Sequence, residues 1–371
     1  MIQSSERFGE LVKYGGQFAA RAAVIINGDV VTDTFYGDDL RLLADSSQVT
    51  YDREGDARMQ ADLTMIGKKS ALEMLDPMAN AEVAPYIGAL VDGEWEWIPM
   101  GIVGIVELDR SANGGMVTYT CSCLDRSERI SGNPWEVPFQ VEIGTPNVTG
   151  IRNIINSRAT GFTPVYDLQT AIANTTPNLF FSEADDPWQA AVKLAQADSS
   201  ELYFDRYGWL TSKEIVDPDS KEAVWTLGAG EFGVNIKPPS INTSRRELFT
   251  GVTCRSEVPW LLFPVGATVW DNDPTSRTYY LGPLGRRPKT ITDGLATSEA
   301  QCTSIARAEL NRIRGVAETV DFGSLRDPRL EVGDVIEAVA EEIDGTGRYS
   351  VQRLTVDMSM STMTGTLRRR R

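Results

Sequence analysis

Histidine is absent from this chain of 371 residues. That removes the usual general base near neutral pH and the commonest metal ligand. A Ser-His-Asp or Cys-His catalytic site and a Cys-His zinc site are therefore excluded. Cysteine is scarce, with four residues at 121, 123, 254 and 302. Cys121 and Cys123 fall in an alternating Thr-Tyr-Thr-Cys-Ser-Cys-Leu run, so both point to one face of a strand. No further ligands are paired near them, and packing of small sulfur side chains in a core is the better reading. Such cysteine usage fits synthesis in a reducing cytosol. No apolar run reaches 18 residues, which excludes a spanning helix and stable membrane insertion. The first ten residues are too polar for a signal peptide.

Positive charge is also short, with 36 Lys and Arg against 52 Asp and Glu and a net charge of −16. A protein that grips nucleic acid by neutralising phosphates needs the opposite balance, so stable DNA binding is disfavoured. An acidic surface instead suits a wall past which DNA slides, or plain solubility. The four closing arginines, 368–371, run against this sign and read as a basic tail, fraying or docked on an acidic partner.

What is present is the composition of a globular protein, 42% hydrophobic and 24% charged, with a length that suggests two to four domains. Residues 1–21 carry little strand signal and read as an arm. Residues 22–130 alternate apolar and polar positions in several runs, as in Met59, Ala61, Leu63 and Met65, punctuated by Asn27-Gly28, Asp92-Gly93 and Asn113-Gly114 turns. They predict an all-β sandwich or barrel. Lys69 to Met74 reads as a short helical turn stopped at Asp76-Pro77.

Residues 131–239 read as a mixed α+β domain. Ile151 to Ser157 and Leu168 to Asn174 are candidate short helices. Asp186 caps a further helix, with Pro187 at its first position and Gln189 closing a capping box. Trp188 heads the apolar face of that helix and is assigned to the core. Strands at 201–205 and 208–212 form a hairpin around Arg206-Tyr207. Gly228 to Gly233 superficially resembles a phosphate loop, but it lacks the Gly-Lys-Ser/Thr ending and leads into Pro238-Pro239. No helix begins there, so it reads as an interdomain loop.

Residues 240–367 return to strands, at 251–257, 265–270, 278–281, 318–323, 333–339 and 349–358, around one helix at 298–314. Ser298 caps that helix. Cys302, Ala306, Leu310 and Ile313 share the face that packs on the sheet, and Arg307, Glu309, Arg312 and Arg314 face solvent. The fold class is thus mainly β with α+β elements.

Carboxylate pairs are the only catalytic candidates: Glu94 with Glu96, Asp185 with Asp186, and Asp271 with Asp273. Glu94 and Glu96 stand beside Trp95 and Trp97, a combination that a carbohydrate-active or receptor-binding protein would use. A strand with tryptophan on one face and glutamate on the solvent face is the better reading, because nothing near an i, i+2 pair raises one pKa. Asp271 to Ser276 lacks the glycine and distal glutamate of a calcium loop and reads as a turn.

Three blocks carry a resemblance. The first is Ile87-Gly-Ala-Leu-Val-Asp-Gly with Trp97-Ile-Pro-Met-Gly-Ile-Val. The second is Asp186-Pro-Trp-Gln-Ala-Ala with Leu202-Tyr-Phe-Asp-Arg-Tyr-Gly. The third runs from Asp271 through Pro288, the helix and Arg329-Leu-Glu-Val-Gly-Asp-Val-Ile. In this order they resemble the hub or minor tail proteins at the tail tip of long-tailed phages infecting actinobacteria, and more distantly the baseplate hub of contractile phages. The resemblance implies a structural virion protein without catalysis or cofactor. It implies a homotrimer in which two tube-like β domains per chain, 22–130 and 240–367, imitate a six-fold tube. The implied partners are a hexameric distal tail ring, the end of the tape-measure protein, and tip or fibre proteins. The resemblance further implies transient DNA passage without specific binding, and assembly in the host cytoplasm.

Overall fold

A computed structural model describes the chain except residues 38, 169–178, 197–199, 215–219, 229–234, 244–247, 258–264, 294–295, 297, 314–316, 325–326, 340–345, 360–361 and 371. The expected helix after Leu168, the glycine-rich loop after Gly228 and the helix end at Arg314 and Gly315 lie outside the described residues.

The first element is a helix, α1 (Glu6–Tyr14), within the stretch that reads as an arm. Ser5 caps it by accepting a hydrogen bond from the Phe8 amide. Phe8 is fully buried, against Ala89 and Ile98 with Leu11 and Val12 beside it, so a short amphipathic stretch becomes helical by docking. Strands β1 (Phe18–Ile26) and β2 (Asp29–Asp33) follow as a hairpin. Asn27 and Gly28 both have positive φ, the type I′ geometry that matches strand twist. Then come β3 (Leu40–Leu42), β4 (Gln48–Asp52), β5 (Met59–Gly67), β6 (Glu82–Val91), β7 (Glu94–Pro99), β8 (Val103–Asn113) and β9 (Met116–Asp125). A 3₁₀ turn at Lys69–Leu72 and another at Pro77–Ala79 occupy the segment between β5 and β6. Burial alternates strictly along β5, as its sequence period requires.

The middle unit begins at α2 (Arg126–Ser131), capped by Asp125. It continues through β10 (Phe139–Val141), α3 (Asn147–Arg158), β11 (Tyr166–Leu168), β12 (Leu179–Phe181), α4 (Pro187–Gln196), β13 (Ser200–Phe204) and β14 (Leu210–Glu214). Its own core gathers Ile151, Ile154, Ile155, Trp188, Leu194 and Leu210. Trp188 stacks on Phe204 at 5.6 Å between centroids. Asp186 accepts from the Trp188 and Gln189 amides at 2.8 and 3.3 Å, which is the cap that starts α4.

The chain then enters β15 (Trp225–Gly228) and β16 (Asn235–Thr243), makes an excursion, and returns. The excursion is a small sheet, β17 (Gly251–Ser256) flanked by β18 (Gly266–Trp270) and β19 (Pro288–Asp293), covered by α5 (Glu299–Ile313). Residues 278–281 lie in turns rather than the expected strand, and the third strand is β19. Asp271 accepts hydrogen bonds from Ser276 and Thr278, and this local network holds the turn in place of sheet pairing. The return is β20 (Ala317–Ser324), β21 (Val335–Val339), β22 (Gly347–Asp357) and β23 (Met363–Arg370).

The two β halves are joined in one sheet of 15 strands. Strand β4 from the first half pairs antiparallel with β22 from the last, Thr50 opposite Thr355 and Val49 opposite Val356. One core, including Val49, Leu63, Met65, Cys121, Val320, Tyr349, Val351 and Leu367, runs across the join. Helix α5 does not brace that large sheet. It packs on β17 and β18, and its buried residues belong to a separate cluster. The span 240–367 is therefore two packing units, because strands β16 and β20 pair with each other while the segment between them closes its own core. Three of the closing arginines, 368–370, belong to a strand and not to a frayed tail, and Arg371 lies outside the described residues. Arg368 and Arg369 lie in β23, and Arg369 is buried against Glu318 at 2.8 Å.

Candidate functional site: an interdomain junction and an exposed aromatic face

Charged side chains at the junctions between units are unusually well matched. Glu201, on β13 of the middle unit, takes Arg53 Nε at 2.7 Å and Arg58 Nη1 at 3.1 Å from the first β half. Arg58 also donates to the Val332 carbonyl at 2.9 Å, so it touches the last β half as well. Its guanidinium lies 3.6 Å from the Tyr203 ring centroid. Burial raises the Glu201 pKa, but Arg58 and Arg53 outweigh it and the carboxyl sits below its ordinary value. Beside this cluster, buried Arg206 donates to the carbonyls of Pro328 and Leu330 and lies over the Tyr51 ring. Tyr51 donates to the Met100 carbonyl, and burial pushes its phenol up to about 12. The cleft enclosed between these groups holds about 450 Å³. Lysines, arginines and carboxylates alternate around it, as expected of a joint between units.

The second junction is Glu82, on β6, which is nearly fully buried. Arg126 reaches it in a two-pronged pair at 2.9 and 2.8 Å, and Arg129 stands at 3.4 Å. The remaining Arg126 nitrogen donates to the Gly208 carbonyl at 2.9 Å, on the turn between β13 and β14. Arginine suits this role because its planar fork satisfies a carboxylate and a carbonyl at once. The arginines at these joints gave no periodic signal, since each is defined by a partner far away in sequence.

The candidate acids separate. Glu96 accepts from the Ser5 amide at 2.7 Å and the Ser5 hydroxyl at 2.5 Å, which commits it to holding α1. Asp185 accepts from Ser182, and Asp186 accepts from Ser131 while capping α4. Asp273 accepts from the Thr275 amide and hydroxyl. These acids hold turns and caps and do not converge on a shared site. Among the described residues, no three His, Cys, Asp or Glu side chains gather as a metal site would need.

Trp97 is placed differently from the other assigned structural residues. Cys302, Ala306, Leu310, Ile313 and Trp188 are buried in local cores, whereas Trp97 is half-buried on an open face. It stacks on Trp95 at 5.4 Å, with Phe35 edge-on to both. Gly88 stands directly across the strand pair, and a Cβ there would come within 2.5 Å of the Trp97 ring. The glycine is what lets the indole lie flat. Arg21 sits over the rings of Tyr86 and Trp97 and pairs with Asp33. Tyr36 is 67% and Phe35 39% exposed. This is a contiguous apolar face beside β2, the strand at one end of the large sheet.

The chain is similar to the 43 kDa tail protein of prophage MuSo2 from Shewanella oneidensis, with a TM-score of 0.63 at 14% identity, over 95% of this chain and 98% of that one. The fold is that of phage tail proteins. A tail protein from Neisseria meningitidis MC58 is equally similar, with a TM-score of 0.63 at 13% identity over 94% of this chain and 96% of that chain. A chain of the Francisella PdpA–VgrG complex aligns with a TM-score of 0.56 at 11% identity, over 97% of this chain and 60% of that one. The sequence itself matches no protein-family model and no curated protein.

Proposed function

We propose that this chain is a structural hub at the tip of a long-tailed actinobacterial phage tail. It works as a homotrimer without catalysis, assembled in the host cytoplasm. The carrying observation is that the tail-protein fold extends over nearly the whole of this chain and nearly the whole of its structural neighbour. Two β halves fused through β4 and β22 supply two wall segments per chain, so three copies supply six. Among the described residues the sheet path ends at β2 and β16, and pairing of these edges around a ring would remove unpaired strands. A distal tail ring, the tape-measure end and tip or fibre proteins are the partners in this reading. The net charge of −16 lets DNA pass without sticking. Native mass measurement over a concentration series, together with copy counting in isolated tails, tests the reading. Three copies per assembly support it, and a monomer in both settings refutes it.

A second reading, a carbohydrate-active or receptor-binding tail protein, is favoured by the exposed Phe35 and Tyr36 beside the half-buried Trp95 and Trp97. Glu96 is already engaged by Ser5, which counts against cleavage. Release of soluble sugar from purified host cell wall would establish that reading in place of the structural one.

A further inference from the structure

Cys254 lies on β17, the central strand of the small sheet, and Cys302 lies on α5, the helix that covers it. Both are free thiols and both are fully buried in one compact cluster with Val252, Ala296, Ala306 and Leu310. Helix α5 packs directly on β17, so the two thiols lie in the same small core at the strand–helix contact. Neighbours on both sides fix the strand: β18 pairs antiparallel with it and β19 parallel.

The other two cysteines make a useful contrast. Cys121 and Cys123 are two apart on β9, which is held on both sides by β5 and β8. Side chains at that spacing stand parallel on one face of an extended strand. Their Cβ atoms cannot approach to the roughly 4 Å that a disulfide requires without breaking the ladder. Cys254 and Cys302 instead sit on two different elements that pack against each other.

We propose that Cys254 and Cys302 are a latent disulfide, closed when the protein leaves a reducing compartment and meets a small-molecule disulfide. The exchange balances in two steps. One cysteine, as thiolate, attacks a sulfur of the small disulfide, forming a mixed disulfide and releasing one small thiolate. The second cysteine then attacks the protein sulfur of that mixed bond and releases the second small thiolate. Two electrons pass from the cysteines to the small disulfide, and the two protons lost by the cysteines end on the released thiols. The product joins α5 to β17 and closes residues 254–302 into a covalent loop, which restricts the unfolded chain and strengthens the small unit.

The same burial makes the reaction gated. Burial pushes the Cys254 thiol up to about 12, and the neighbouring Cys302 adds to the rise, so Cys254 holds very little thiolate while the unit is closed. Oxidation therefore waits on transient lifting of α5, and the rate should rise with mild denaturant while the large sheet remains folded. The inference does not depend on the hub reading, because it concerns a pair of side chains within one chain.

The test uses the full chain, held reduced or incubated with oxidised glutathione, with and without a low concentration of urea. Intact mass should fall by two hydrogens. Peptide mapping should find Cys254 linked to Cys302, with Cys121 and Cys123 still alkylated after denaturation. A raised melting temperature that reverts on reduction should accompany the link. Cys302→Ser and, separately, Cys254→Ala should abolish the mass change under the same treatment. If either variant fails to fold, the linkage map and reversible melting shift of the unmodified chain carry the test. Four alkylatable thiols after prolonged exposure, stable glutathione adducts alone, a link through Cys121 or Cys123, or a lowered melting temperature would each overturn the proposal.

Discussion

Arg126 and Glu82 show how much rests on single side chains. Glu82 is buried, and Arg126 supplies two of its hydrogen bonds. Arg126→Ala leaves a buried carboxylate with only Arg129 nearby, and loss of one partner of a buried pair costs about 3–5 kcal/mol. Urea denaturation should show a midpoint lowered accordingly, and Arg126→Lys should recover only part, since an ammonium cannot span Glu82 and the Gly208 carbonyl together. Glu201 gives a pH dependence with a definite sign. Its folded pKa is depressed, so its contribution is complete above the ordinary glutamate pKa and is lost as pH falls through the lower, folded value. Stability measured from about pH 7 down to about pH 3 should therefore decline more steeply in the parent than in Glu201→Gln, which cannot titrate there. Equal slopes would show that Arg53 and Arg58 do not hold that carboxylate. Gly88 is the third such residue, because Gly88→Ala would drive a methyl into the Trp97 ring. Trp97 fluorescence should shift as the indole turns away from Trp95.

At the scale of elements, the small α/β excursion and the large sheet have separate cores, and substitutions should report that separation. Leu310→Ala removes a buried side chain from the α5 cluster at a cost of about 2–5 kcal/mol. Hydrogen exchange should accelerate in β17, β18, β19 and α5 and stay unchanged in β5 and β9. A uniform acceleration would instead mean one cooperative unit. The cap of α4 is legible directly in Asp186-Pro187-Trp188-Gln189, and Asp186→Ala should cost about 1 kcal/mol. Helix α1 was not legible. At nine residues it is too short to hold without its buried Phe8 and the Ser5–Glu96 contact, both made to residues some eighty or ninety positions away.

In the whole molecule, the β4–β22 pairing turns two stretches some three hundred residues apart into one sheet with one core. The first and last β halves should unfold together. Hydrogen exchange at Val49 and Val356 should follow the same denaturant dependence, and two distinct transitions would show that the join contributes little. The middle unit has its own core and is attached mainly by Glu201, Arg206, Arg126 and their partners. Charge screening should therefore weaken its attachment less than it would weaken surface ion pairs, because these groups are largely out of solvent.

Local chemistry was enough for the features that depend on near neighbours. Alternation along β5, positive-φ turns at Asn27-Gly28 and Asp92-Gly93, the Asp186 cap and the apolar face of α5 are all set within a few residues, and the fold class follows from them. The absence of histidine excluded whole classes of catalysis by the same local reasoning. Tertiary structure alone decided which strands meet, and so whether Arg368 and Arg369 fray or seal a sheet. Arg369 is buried because Glu318 stands opposite on β20. It also decided that α5 covers β17 rather than the large sheet, and that Glu96 accepts hydrogen bonds from Ser5 at the start of α1. A strand's period specifies which face is apolar, but its hydrogen-bonding edges are nearly the same for every strand. Partner choice is thus a property of the assembled core, and the roles of the arginines follow from it.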